Sequence, residues 1–440
     1  MNATNDLLYS HIKLEINGET AKDLGRMATL NRCCQEFPYL VNRIGSAELR
    51  WCYKEDVETY NEFLGHLAKS TSLTKLTCEL CHDLSWTAIS ALYNYSDGSF
   101  THLKDLQIEL NIAGSKEVYV STEQFLKLCE LPKLEVFTVC APITGFGNGT
   151  RSETILAKLG HLHFWASHPV PISALESILP RVPNLTCLQL SAPGEGTQVN
   201  RMFANGCFMP GFNRDEPLRP SFYGDLLAPV AASLKHLVMD ADNVEIPSHD
   251  GSHIDLSRFT NISRLELSSS LLFGSGKLVS SYAWAQRVWE ILPPHLEKFR
   301  LLFDGDQGLF WSVGDMRQHA RSKTFDQLWS RTVNNGYVDW LFGLLDRSRN
   351  KASYLVSITI NEQPIIDKDQ NWKIVQWHMT DDLVAAATAA GVKLAIKLRV
   401  PRIFESSALA LAEDSLAYGA EGTVSYEEDD AEVSANEAEW

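Results

Sequence analysis

The residues in this chain best suited to chemistry fall in two short stretches. The first is TCELCHDL, Thr77 to Leu84, where Cys78, Cys81 and His82 reproduce the C-x-x-C-H spacing through which c-type haem is covalently attached. The second is HLHFWASH, where His161, His163 and His168 offer three imidazoles. Histidines at i and i+2 on a strand share a face. No carboxylate or cysteine lies close by in sequence to complete a tidy ligand set, so a solvated strand face is the reading for this stretch. Other signals are weaker still. TGFGNGT, Thr144 to Thr150, lacks the third glycine of G-x-G-x-x-G, and FGSGKL around Lys277 lacks both the first glycine and the hydroxyl residue of a phosphate loop. G-x-S-x-G, H-E-x-x-H and kinase signatures are absent. The expectation is a non-enzyme without cofactor or metal.

The elements that would have to position these residues explain the cysteines better than haem does. SLTKLTCELCHDL fits L-x-x-L-x-L-x-x-C-x-x-L, with Leu73, Leu76, Cys78, Cys81 and Leu84 at the marked places. This is the leucine-rich repeat pattern, whose ninth position is commonly Asn or Cys. Cys78 is then a small buried hydrophobe in a strand, and Cys81 stands where the chain leaves it. The template recurs at Leu103, Leu134, Leu159, Leu185, Leu234, Ile262, Leu296 and Leu355, nine copies in all. Start-to-start distances are 30, 31, 25, 26, 49, 28, 34 and 59 residues, near the family period of about 20–29 apart from two large insertions. Degenerate copies fall at Tyr9, Ile12 and Leu14, near Leu49 and Trp51, and at Leu394 and Ile396, where VKLAIKL closes the stack.

Helical patterns alternate with these strands at 60–70, 121–132, 171–184, 282–294 and 380–391. The expected fold is therefore α/β: a leucine-rich repeat solenoid, a curved horseshoe with parallel strands on the concave face and helices on the convex face. Its expected organisation is degenerate repeats or a cap over 1–72 and the solenoid over 73–400. Insertions are expected at about 193–226 and 303–350, the latter ending in the helix-like FDQLWSRTVNNGYVDWLFGLLDRSR, with a disordered acidic tail over 405–440.

Composition agrees. Of the 440 residues, 45% are hydrophobic and 10% aromatic, ample for a packed core. The net charge of -16 is concentrated: residues 411–440 hold ten acids and no Lys or Arg, which leaves -6 on residues 1–410. Neither part has the positive field of a nucleic-acid binder. No basic segment precedes a long apolar run at the N-terminus, and no stretch reaches the roughly 18 apolar residues of a membrane span. Nine cysteines without regular pairing suit reduced thiols, hence a cytoplasmic or nuclear protein.

The irregular repeats with entries such as VPNLTCLQL, ELPKLEVFTV and PPHLEKFRLLF resemble the recognition part of fungal F-box and leucine-rich-repeat proteins. The resemblance covers roughly residues 9–400. It implies a non-catalytic protein-interaction module, the substrate-recognition part of an F-box type cullin–RING ubiquitin ligase, with the ligase adaptor as a further partner. No Leu-Pro-x-Glu-Ile-like F-box segment precedes the first repeat. The alternatives are a free-standing scaffold or inhibitor without a ubiquitin link and, less favoured, an enzyme sited in the insertions.

In L-x-x-L-x-L the third, fifth and seventh positions point outward. Read this way, the early strands are acidic, the middle ones carry histidine and Trp165, and the later ones are basic. The candidate protein-binding residues on this face are His161, His163, Trp165, Gln189, His236, Asp240, Arg264, Glu266, Lys298 and Arg300. No membrane or nucleic-acid partner is expected.

Overall fold

The structure is a computed structural model that describes residues 10–16, 21–51, 57–81, 92, 99–111, 120–140, 143–144, 154–164, 170, 172–191, 219–240, 250–273, 288–304, 336, 338–350, 354–363 and 372–401. Trp165, His168, His82, most of TGFGNGT and FGSGKL, residues 193–218 and 305–335, and the acidic tail lie outside the described residues.

Strands and helices are interspersed along the chain. They are β1 (His11–Ile16), α1 (Ala21–Glu36), α2 (Pro38–Val41), β2 (Ser46–Trp51), α3 (Val57–Ala68), β3 (Lys75–Cys81), β4 (Asp105–Asn111), β5 (Val120–Ser121), α4 (Thr122–Cys129), β6 (Val136–Cys140), β7 (Ile143–Thr144) and β8 (His161–Phe164). There follow α5 (Ile172–Ile178), β9 (Cys187–Ser191), α6 (Pro220–Leu226), β10 (His236–Asp240), β11 (Arg264–Ser268), α7 (Ser269–Phe273) and α8 (Val288–Ile291). The series ends with β12 (Lys298–Asp304), α9 (Asp339–Arg349), β13 (Ser357–Gln363), β14 (Trp372–Gln376), α10 (Asp381–Ala390) and β15 (Lys393–Pro401). Contacts divide the chain into a large unit, Met1–Ile365 with Gln376–Leu398, and a small one, Ile366–Val375 with Arg399–Trp440, which holds most of β14.

In the large unit twelve strands, all but β5, β7 and β14, form one open sheet in chain order with every neighbouring pair parallel. Parallel neighbours need a crossover, and the helices supply several of these. The register follows from the leucine pattern. The second residue of each strand (Leu76, Leu106, Phe137, Leu162, Leu188, Leu237, Leu265, Phe299, Ile358) lines up with its neighbour and is buried. The fourth residue forms a second buried row that includes Cys78, 1% exposed, between Leu49 and Ile108. A shift of one residue would turn both rows out to solvent, which pins the pairing.

Main-chain hydrogen bonds at the strand entries repeat the same device. The carbonyl just before one strand accepts the two amides that open the next. Gly160 O takes Thr186 N at 2.7 Å and Cys187 N at 3.0 Å, and Thr186 O takes Lys235 N at 2.8 Å and His236 N at 2.9 Å. The series runs from Ser10 O to Val356 O, which accepts Lys393 N.

Helices close the other side of the core. On α4, Phe125 stacks on Phe137 (5.0 Å between centroids) and meets Phe164 at 5.5 Å. Within the second expected insertion, α9 carries Trp340, 1% exposed, against Phe273 and Phe303. That end of the excursion is core, with Arg347 lying 3.9 Å over the Trp289 ring. Of the expected helix at 282–294, the described residues show Val288–Ile291, and Pro293 and Pro294 beyond it cannot extend it; residues 282–287 lie outside the described residues.

Candidate functional site

Period-two alternation leaves the residues between the buried rows on the opposite, partly exposed face of the sheet. His161 and Lys298 are exposed there, and His163, Gln189, His236, Arg264, Glu266 and Arg300 are half-buried. Asp240 ends β10.

Many charges on this face are paired across strands. Lys13 Nζ lies 2.6 Å from Glu48, Arg50 Nε 3.1 Å from Glu79, Lys75 Nζ 3.0 Å from Asp105, and Arg300 Nη1 3.2 Å from Glu266. With its amide oxygen turned to Arg300, Asn361 accepts from Nη2 at 2.7 Å and Nε at 2.8 Å, so one guanidinium spans three strands. Exposed pairs of this kind contribute only about 0–1 kcal/mol each. Their consequence is electrostatic: the sequence gradient from acidic to basic is largely compensated strand by strand.

Glu109 departs from this balance. Burial raises its carboxyl pKa above the ordinary value, and the Glu79 and Glu48 carboxylates add to that, while Gln107 donates to it and Arg50 pulls the other way. A raised folded-state pKa means that the ionised form weakens the fold above that pKa, and the penalty vanishes below the ordinary value of 4.5. The Glu109→Gln protein is expected to melt higher than the parent at pH 7 and level with it at pH 4. Thermal denaturation at the two pH values checks this, and a gain that persists at pH 4 would refute the electrostatic cause.

Between the charged ends lies a cluster of different chemistry. β8 supplies His161 and His163, β9 supplies Cys187, and β10 supplies His236. His161, Cys187 and His236 occupy one row, paired in register across the three strands. Cys187 Sγ stands 3.4 Å from His163 Nε2 and 3.5 Å from His236 Nδ1, and the two imidazole rings on β8 are 6.1 Å apart. One ligand atom from each of His161, His163 and Cys187 lies within 4.8 Å of the others. Burial lowers the His163 pKa to about 4, helped by His161 and His236 and opposed by Asp105. Burial, then Arg264 and His161, lower that of His236. Burial raises the Cys187 thiol to about 11, against the pull of Arg264. His163 and His236 are therefore held toward their neutral forms, each with a lone pair able to accept or to coordinate.

The structure thus brings His161, His163 and His236 together and sets Arg264 beside them. Glu266, Lys298 and Arg300 form a separate group, and Gln189 stands next to His163. Cys187 was not among the candidate residues. The repeat alignment does put it on the outward face, at the same repeat position as His161 and His236, but only the register sets its sulfur between two imidazoles.

The fold is mixed α/β, with twelve parallel strands in one open sheet and a polar, partly exposed face. No family model matches the sequence, and no curated protein matches it either. Among the described residues, no helix is long and apolar enough to cross a membrane.

Proposed function

We propose that this chain is a leucine-rich repeat solenoid whose outward strand face binds a protein partner, in the manner of the recognition part of fungal F-box proteins. Its role would be to select substrates for a cullin–RING ubiquitin ligase in the cytoplasm or nucleus, without catalysis of its own. The observation that supports this reading most is the register. Twelve parallel strands follow one another in chain order, so three outward residues per strand are laid out as rows on one surface. Parallel sheets in many α/β proteins are covered on both faces. Here one face is left polar and partly exposed, as solenoids leave the surface they bind with.

The test is an affinity capture from native cell extract with the full chain as bait, read by mass spectrometry. A second bait carries Lys298→Glu and Arg300→Glu on the strand face, and a third carries Glu176→Lys at an exposed position of α5. The expected result is recovery of the ligase adaptor and cullin with the first and third baits, and loss of a substrate protein with the second. Recovery of face-dependent partners without adaptor or cullin would leave a free-standing binding scaffold and end the ubiquitin reading. Partners equally retained by the second bait would overturn binding through these basic positions of the face.

A further inference from the structure

We propose that His161, His163, Cys187 and His236 form a zinc-binding site of the one-cysteine, three-histidine type, tying three neighbouring strands together on the outward face of the sheet. The argument begins with geometry. Zinc at about 2.3 Å from sulfur and about 2.0–2.1 Å from nitrogen in a tetrahedron sets sulfur and nitrogen about 3.6 Å apart. Cys187 Sγ stands 3.4 Å from His163 Nε2 and 3.5 Å from His236 Nδ1. Each separation matches a sulfur–nitrogen edge, and one ligand atom of His161 lies within 4.8 Å of one on His163 and of the thiol. His236 approaches the thiol only, and its ring would have to turn toward the other two to become the fourth ligand.

The chemistry points the same way. Nitrogen and sulfur donors without a carboxylate select zinc and its neighbours over magnesium or calcium. Among the described residues, the side chains of His163 and His236 make no hydrogen bond other than to this one sulfur, and a thiol is a weak donor. Two half-buried imidazoles thus share one poor partner, an arrangement that a bound cation would satisfy. Arg264, next to His236 in register, opposes a cation but favours the thiolate that coordination requires. The thiolate's charge and the metal's own charge dominate that balance.

Position gives the site a structural purpose. The spacing from His163 to Cys187 is 24 residues, while that from Cys187 to His236 is 49 because the first long insertion intervenes. A metal here would fasten the strand that enters the insertion to the strand that leaves it.

The experiment uses the full chain, reduced and stripped with chelator, titrated with cobalt(II) and then zinc(II). Expected are the visible bands of four-coordinate cobalt and a sulfur-to-metal charge-transfer band, saturating at one equivalent and erased by zinc. Cys187→Ser should abolish the charge-transfer band, and His163→Ala and His236→Ala should each weaken cobalt binding. That weakening should exceed the roughly 10–100-fold that loss of an outer-shell group costs. Gln189→Ala should change nothing. A thermal melt with and without zinc provides a readout on the parent protein alone, with a rise in midpoint expected for zinc and none for magnesium. An unchanged charge-transfer band in Cys187→Ser, a six-coordinate cobalt spectrum, or an unshifted melt would overturn the site. An unchanged spectrum in His236→Ala would overturn the four-ligand assignment.

Discussion

The Phe125→Ala protein is expected to unfold with about 3–5 kcal/mol less free energy than the parent. Phe125 is fully buried on α4. Its ring lies nearly parallel to that of Phe137, at 16°, and tilted by 32° to that of Phe164, so one side chain fills the space over two neighbouring strands. Truncation removes the transfer energy of the ring and leaves a void that two rigid aromatic neighbours cannot close. About 0.5–1.5 kcal/mol of that is the loss of the ring pairing itself. If the proposed solenoid holds, each unit leans chiefly on its neighbours, and the weakened α4–β6–β8 region should melt as an earlier transition. Denaturant unfolding followed by tryptophan fluorescence and by far-ultraviolet dichroism measures this. Phe222→Ala, on a half-exposed ring, is the control and should cost far less. A loss below about 1 kcal/mol for Phe125→Ala would mean that the layer between helix and sheet collapses freely.

The second large effect is expected at Gly224 in α6. A Cβ added there would come 2.7 Å from the main-chain oxygen of Asp255, and a backbone atom cannot swing aside. Two effects oppose each other. Alanine favours a helix over glycine by about 0.8–1 kcal/mol, while forcing extra volume into a closed contact costs about 1–3 kcal/mol. The approach is close enough that the contact should win. Its surroundings are also fixed, since Arg258 donates to Gly224 O and pairs with Asp225 Oδ1 at 2.7 Å. Gly224→Ala should therefore lower the melting midpoint. A midpoint above the parent's would show that the 250–256 segment yields.

Much of the sheet was legible because its cause is local and repeated. An apolar residue at every second place, with a fixed phase in each repeat, dictates both the strand and the side it buries. Even the degenerate ends at Ile12, Leu49 and Ile396 fall in β1, β2 and β15. The helix α1 was not legible, for a specific reason. Its buried stripe runs Met27, Asn31, Cys34, and the middle member is polar. Asn31 can be buried there because its amide donates to Thr59 O at 2.9 Å and to Glu62 Oε2 at 3.0 Å, partners supplied by α3. A hydrophobic pattern cannot register a residue whose burial depends on another helix. The histidine–cysteine cluster escaped for a related reason. Its members are far apart along the chain and meet only once the strands are set side by side in register.

The carbonyl that accepts two amides at the entries of β2 through β13 in the large sheet has a mechanical consequence. Each turn is clasped to the one before it by a small, similar set of bonds, so pulling the two ends apart would load those clasps one after another instead of all at once. Under tension the large unit should pay out in steps, one turn per step, beginning at whichever end is weaker. The longest steps would come from turns that carry long excursions, such as the one between Ser191 and His236. A metal clasp across β8, β9 and β10 would sit in the middle of that sequence. It would act as a stop, dividing the extension trace into an early and a late set of events.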